Sequence, residues 1–402
     1  VIIPWVVYQN YGDLRILEDG WKCMHEWVDY INNHTNENGL WMSGFQYGDW
    51  LALDKEESAD RTGSTDKYMI ANAYYIYVTD IVRKTAEALG KEEEAGKYKE
   101  LYERTLESFR EEYYTSRGRI VSETQTGCVL SLYFNLAKEK DRKQIINTLS
   151  TNIVNHKNHL STGFVGTPYL CHALSENGEH EMAAMLFMRE DFPSWLYSVN
   201  MGATTIWERW NSILPDGDFE SSGMNSLNHY AYGSIGDWVY RKVAGIQQLE
   251  PGYHRFAIRP MFVKGIEETE TSLETPYGKI VSKWECRNKK IRVQVTVPVN
   301  TTAVLYLPEK EEKIELGSGR YEYEYATETN LKKERFSMDS NLGEIISEPL
   351  GREMLEIMAP GFLDNPMIEF ACSMTMAELL NSAPEARPMY EAIIQALNTQ
   401  EA

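Results

Sequence analysis

What this 402-residue chain lacks already narrows its function. Its five cysteines, Cys23, Cys128, Cys171, Cys286 and Cys372, are scattered, odd in number and without a C-x-x-C pair. That argues against a disulfide framework and for a reducing compartment, so a cytoplasmic location is the expectation. No apolar run approaches the roughly 20 residues of a membrane-spanning helix. Neither a G-x-x-x-x-G-K-[ST] phosphate loop nor a G-x-S-x-G nucleophile elbow occurs, which excludes two large enzyme classes. H-E-x-x-H is absent as well. His156 and His159 are three apart but have no nearby acid or cysteine to complete a metal set, so they read as surface histidines. No metal or other cofactor is expected. Basic residues are in the minority, 40 against 60 acidic, for a formal net charge of −20. Nucleic acid and anionic membrane surfaces are therefore poor partners, and a soluble protein with a neutral ligand fits better. An initiating methionine is missing too. Val1-Ile2-Ile3-Pro4-Trp5 reads as the middle of an element, so further polypeptide, with any targeting segment, is expected upstream.

What is present is aromatic. Ten tryptophans and 25 tyrosines bring the aromatic share to 12%, and most of them must serve a large core. Tryptophan beside Asp, Glu and Asn nonetheless favours carbohydrate. The most informative stretch is Gly202-Ala203-Thr204-Thr205-Ile206-Trp207-Glu208-Arg209-Trp210, followed by Asn228-His229-Tyr230. One carboxylate between two indoles, after a small-residue bend, is the make-up of a sugar site. Aromatic faces pack on pyranose C–H groups while the acid manages a proton.

Residues 1 to about 245 read as helices joined by loops rich in Gly, Trp and Asp. Trp21, Met24, Trp27, Val28 and Ile31 recur at helical spacing. Ser64 and Thr65 are candidate caps for a helix running to Leu89, with Gly90 as its stop. Tyr98, Tyr102, Phe109 and Tyr113 mark the apolar face of the next. Further helices are predicted over 124–138, 141–156, 167–175, 179–190 and 229–244, with 39–54, 161–168, 193–210 and 215–228 as connections. Helix pairs with aromatic-rich connections on one side predict a mainly α fold, an (α/α) toroid whose loops gather at one rim. From 246 to 330 the period changes. Tyr253–Pro260, Thr271–Tyr277, Lys279–Trp284, Ile291–Val297 and Thr302–Leu307 read as strands of a small antiparallel β-sandwich. Residues 331–402 return to short, proline-broken helices and form an appended module.

Each candidate residue has a plainer alternative. Glu208 could pair with Arg209 or Arg241 instead of acting on a substrate. Asp49, in Gly48-Asp49-Trp50, reads either as a helix N-cap or as a hydroxyl-binding carboxylate, and Trp50 as a stacking wall. His229 could donate to a sugar hydroxyl or simply cap a helix. Trp195 and Trp207 are candidates for lining the pocket, with a core role as the alternative for Trp195.

With these residues in view, Ala203-Thr204-Thr205-Ile206-Trp207-Glu208-Arg209-Trp210 strongly resembles the bacterial α-L-rhamnosidases of glycoside hydrolase family 78. Pro4-Trp5 with Tyr11-Gly12-Asp13, Gly44-Phe45-Gln46-Tyr47-Gly48-Asp49-Trp50-Leu51, Gly163-Phe164-Val165-Gly166-Thr167-Pro168, Asn228-His229-Tyr230-Ala231 and Pro251-Gly252-Tyr253 agree in order. The resemblance covers residues 1 to about 308 and leaves the helical tail outside. It implies an (α/α)6 barrel lacking its first helices, followed by a β-sandwich, and cleavage of terminal α-L-rhamnose from a glycoside or oligosaccharide with inversion. It further implies Glu208 as general base, Trp50 and His229 as rhamnose contacts, and a general acid upstream of Val1. A non-catalytic rhamnose-binding fragment and another α/α-toroid glycosidase stay open as alternatives. A barrel open on one side would leave an apolar flank in water, which predicts self-association or cover by the tail.

Overall fold

A computed structural model describes residues 1–55, 61–220 and 223–400. The chain divides into two compact units, Val1–Leu331 and Lys332–Ala402.

The first unit opens with ten helices: α1 (Ile2–Tyr11), α2 (Arg15–Asn32), α3 (Lys67–Ala88), α4 (Glu92–Tyr113), α5 (Gln125–Tyr133), α6 (Arg142–Asn155), α7 (Thr167–Glu176), α8 (His180–Met188), α9 (Trp195–Asn200) and α10 (Ile235–Trp238). A 3-10 turn at Ala231–Ser234 leads into α10, and a π turn at Val239–Val243 follows it. Burial separates two layers. α5 and α7 are buried on nearly every side, and α3 buries 13 of its 22 residues, so these are inner helices. α4 keeps one apolar stripe, Tyr98, Leu101, Thr105, Leu106, Phe109 and Tyr113, and exposes its Glu/Lys face, as an outer helix should. α2 does likewise with Leu17, Met24, Val28 and Ile31.

Connection lengths then decide where chemistry can gather. Short turns at 12–14, 89–91 and 177–179 join α1 to α2, α3 to α4 and α7 to α8. The return connections, 33–66, 114–124, 156–166 and 189–230, are long. Because consecutive helices run antiparallel, the long segments collect at the N-terminal ends of the inner helices and form one rim.

Several expected boundaries move. Asp66, not Ser64 or Thr65, caps α3, its carboxylate accepting from the Met69 amide at 2.7 Å. Thr65 instead shares a hydrogen bond with Thr124 at 2.6 Å. Gly90 takes the left-handed backbone expected of a helix stop, with φ of 68°. The 124–138 helix ends early at Tyr133, where Asn135 turns left-handed. α9 lies inside what reads as a loop, because the helix is only six residues long.

After the helices comes a pair of four-stranded sheets. Strands β1 (Ile246–Gln248), β2 (Arg255–Ile258), β6 (Thr302–Tyr306) and β7 (Lys313–Leu316) form one, in the order β1-β2-β6-β7. Strands β3 (Glu268–Thr275), β4 (Gly278–Arg287), β5 (Lys290–Val297) and β8 (Gly319–Ala326) form the other, in the order β3-β4-β5-β8. The pairs are antiparallel except β2 with β6, which run parallel with Phe256 opposite Ala303. Alternation fills the core: Ile280, Trp284, Ile291, Val293 and Val295 point inward. The Trp284 indole N–H donates to the Val243 carbonyl at 2.9 Å, fastening β4 to the last helical turn. β1, β7 and β8 lie outside the strands expected from the sequence.

The second unit packs α11 (Leu342–Ser347), α12 (Pro349–Met358), α13 (Ile368–Ala371), α14 (Met376–Leu379) and α15 (Arg387–Gln400) around Leu342, Ile345, Leu355, Met376, Tyr390 and Ile393. Capping boxes at Asn341/Glu344 and Thr375/Glu378 start two of these helices. Among the described residues no helix is long and apolar enough to cross a membrane.

Candidate active site

Glu208 is held by a short ladder between two irregular rim segments. Its amide donates to the Ser226 carbonyl at 2.9 Å, and the Ser226 amide donates back to Glu208 Oε2 at 3.2 Å. Two residues further out, the His229 amide donates to the Ile206 carbonyl at 2.9 Å. The Thr205 hydroxyl closes the pairing on the Leu227 carbonyl. Segments 205–208 and 226–229 therefore run side by side, and residues 21 apart in sequence become neighbours. The Glu208 side chain is 9% exposed and forms no ion pair with a described residue. Arg209 pairs with Glu220 at 3.5 Å and Arg241 with Asp237 at 3.3 Å. Neither ionic alternative for Glu208 is built.

Trp50 and His229 meet through a residue the sequence reading did not single out, Phe164. The Phe164 amide donates to the Trp50 carbonyl at 2.9 Å, and its ring stacks on the His229 imidazole at 4.9 Å and 27°. Trp50 and His229 are both half-buried, so each keeps a face for a ligand. His229 does not begin a regular helix as expected; it precedes the 3-10 turn at Ala231. The Ala231 amide donates to His229 Nδ1 at 3.3 Å, which puts the proton of the neutral ring on Nε2 and makes that atom a donor. Just past Trp50, Leu51 is held at φ 58°, a left-handed backbone costly for a branched side chain and common in ligand loops.

Asp49 is corrected from sugar contact to internal brace. It is fully buried, and both oxygens are occupied. Oδ2 accepts from the Thr126 hydroxyl at 2.5 Å and the Gly163 amide at 2.8 Å; Oδ1 accepts from the amides of Val165 at 2.9 Å and Gly166 at 3.4 Å. No lone pair is left for a sugar hydroxyl, and the N-cap alternative fails as well. Burial pushes the carboxyl upward, and the Thr126 hydroxyl with the three amides pulls against it. Space at this brace is short. A Cβ on Gly163 would lie 2.2 Å from the Trp50 carbonyl oxygen, and one on Gly166 would lie 2.3 Å from the Thr126 hydroxyl.

Trp195 and Trp207 are both buried, which for Trp195 is the core alternative. They are 7% and 4% exposed, and the Trp195 indole N–H is spent on the Tyr232 carbonyl at 2.9 Å. Trp195 stands edge-on to Trp210 at 5.2 Å, and Trp210 stacks on Tyr232 at 3.8 Å. With Phe187, Val199 and Ile206 they line an apolar cavity of about 390 Å³ whose lining includes neither Glu208, Trp50 nor His229. These indoles support the Glu208 segment from behind. His159 binds Asp191 at 2.9 Å and His156 the Asn152 carbonyl at 2.9 Å. Among the described residues no cluster of three or more His, Cys, Asp or Glu is placed to hold a metal.

Residues 1–243 match the family described as the bacterial alpha-L-rhamnosidase 6 hairpin glycosidase domain, and residues 245–322 match the bacterial alpha-L-rhamnosidase C-terminal domain. The chain belongs to the bacterial alpha-L-rhamnosidase family. An alpha-L-rhamnosidase of Formosa agariphila is 39% identical over 309 residues, covering 76% of this chain and 33% of the relative. One from Streptomyces avermitilis is 37% identical, covering 77% and 29%. Solved structures agree. The Aspergillus terreus alpha-L-rhamnosidase superposes with a TM-score of 0.77 at 36% identity, over 80% of this chain and 38% of that one. The Streptomyces avermitilis enzyme complexed with L-rhamnose gives 0.74 at 34%, over 80% and 32%. This rhamnosidase-family chain thus spans about a third of the length of the curated relatives it matches. The match ends before the helical tail, as the sequence resemblance does.

Proposed function

We propose that this chain bears the general base and part of the sugar pocket of an α-L-rhamnosidase, a glycoside hydrolase that releases terminal α-L-rhamnose with inversion. The observation that carries the reading is the condition of Glu208. One of its oxygens is fixed by the Ser226 amide, and no described cation neutralises the group. A carboxylate so held keeps lone pairs for the proton of an attacking water. Trp50 supplies the stacking face, and His229 offers an Nε2–H to a ring hydroxyl.

Inversion needs room for that water. The two carboxyl groups of an inverting glycosidase stand about 6.5–9.5 Å apart, and the acid holds its proton near neutral pH. Asp49 is sealed on all sides and cannot reach a leaving group. We assign the acid to a carboxyl outside the described residues.

The test combines p-nitrophenyl α-L-rhamnoside with free L-rhamnose. Turnover that disappears in Glu208→Gln supports the hydrolase. Rhamnose binding without turnover makes the chain a binding module whose acid lies elsewhere. A folded sample that neither binds nor hydrolyses overturns the reading. Turnover of other aryl glycosides with no rhamnoside activity points to a different toroid glycosidase.

A further inference from the structure

We infer that Asp49 is the positioning residue that sets the two walls of the sugar pocket relative to each other, an inference that rests on the proposed rhamnose site. Its carboxylate gathers three chain segments far apart in sequence: its own loop, Thr126 at the start of α5, and the 163–166 turn that leads into α7. The same turn carries Phe164, whose amide is bonded to the Trp50 carbonyl and whose ring stacks on His229. The Asp49 carbonyl accepts the Gly63 amide at 2.9 Å, so the residue is held from its main chain as well. From Asp49 the line of contact runs through the 163–166 turn to Trp50 on one side and to His229 on the other. His229 is in turn paired by its amide with Ile206, two residues from the base. A carboxylate is required because all four donors aim at it. An amide in its place presents one oxygen and one NH2, so at least one backbone N–H must face a donor, and a buried donor left without a partner costs about 1–3 kcal/mol.

The experiment uses Asp49→Asn, with Asp29→Asn as the control. Asp29 accepts from Lys97 at 2.8 Å and Tyr98 at 3.1 Å between outer helices and has no tie to the rim. Two readouts are taken at a temperature where both variants are folded by circular dichroism. One is the affinity for L-rhamnose by saturation-transfer NMR. The other is the shift of the His229 ring protons, which the stacked Phe164 ring displaces upfield. The expected result for Asp49→Asn is at least tenfold weaker rhamnose binding and His229 protons that move downfield, with neither change in Asp29→Asn. Where turnover is measurable, KM should rise more than kcat falls. Unchanged rhamnose affinity and an unchanged His229 shift in a folded Asp49→Asn protein overturn the inference. If the unaltered chain does not bind rhamnose, the sugar reading fails, while the His229 shift still decides whether Asp49 sets that wall.

Discussion

Glu208 and Ser226 hold each other twice: the amide of each supplies a hydrogen bond to the other, at 2.9 Å to the Ser226 carbonyl and 3.2 Å to Glu208 Oε2. One bond fixes the backbone of the proposed base and the other its carboxylate, so side chain and main chain share one reference. Glu208→Gln keeps an oxygen for the Ser226 amide and should fold normally. It removes the base, for which the expected loss of turnover is on the order of 10²–10⁴-fold. A denaturation profile alongside the rate separates that chemistry from misfolding.

Gly163→Ala tests the closeness of the rim segments. The added methyl would meet the Trp50 carbonyl oxygen at 2.2 Å and the Ala52 nitrogen at 2.7 Å, both backbone atoms that cannot swing aside. The loops must part, at a cost of about 1–3 kcal/mol. Thermal unfolding should fall and rhamnose affinity should fall with it, whereas Gly96→Ala, at an exposed position inside α4 where nothing lies within 4 Å, should leave affinity unchanged and raise thermal unfolding slightly.

The sequence made the fold readable where a periodicity had to be buried and less so elsewhere. α2 and α4 announce themselves by one apolar stripe each, and the inner helices by their density of apolar residues. α9 escaped because six residues cannot display a helical period, and the helix expected over 229–244 is broken into 3-10, α and π turns. β8 alternates Tyr321, Tyr323 and Tyr325 with Glu322 and Glu324, a plain strand pattern lying beyond the last strand inferred. Glu208, Trp50 and His229 stand out as candidates in the sequence because acids, indoles and imidazoles at close spacing carry chemistry on their side chains. The bracing place of Asp49 does not show in the sequence, because three of its four partners are backbone amides 114–117 residues away, which leave no side-chain signal. The available clue was the pair Gly163 and Gly166 around Phe164, small residues where something must approach closely.

Thiol reactivity should divide sharply. Burial pushes the Cys128 and Cys171 thiols up to about 12, so almost no thiolate exists at pH 8. Cys23 is exposed and Cys372 half-exposed. Labelling of the native protein with a chromogenic disulfide should modify Cys23 and Cys372 promptly, and Cys128 and Cys171 only after denaturant, as read by peptide mass.

Acid stability should carry the signature of Asp237. Partial desolvation pushes its carboxyl up, but the His172 imidazole 2.9 Å away and the Arg241 charge outweigh this and hold it below the ordinary range. A depressed folded value contributes stability above the unfolded pKa of about 3.9 and loses it as pH falls through the lower folded one. Asp237→Asn should therefore lower the melting temperature near neutrality and flatten its fall below about pH 4, measured by calorimetry across pH.

Several large apolar side chains of the helical unit stand in water. Ile3 is 77% exposed, Phe45 78% and Tyr47 70%, with Tyr11, Trp27 and Tyr30 also open. Sedimentation velocity should show a coefficient that rises with concentration. The double substitution Phe45→Ser, Tyr47→Ser should reduce that rise, and a concentration-independent monomer would remove the expectation of self-association.

The account stands most directly on the anomer first released. Proton NMR should follow p-nitrophenyl α-L-rhamnoside with the unaltered chain and with Glu208→Gln. β-L-rhamnose appearing first, and only with Glu208 present, is the predicted result. Release of α-L-rhamnose first, or turnover that survives Glu208→Gln undiminished, would contradict Glu208 as the base of an inverting hydrolase.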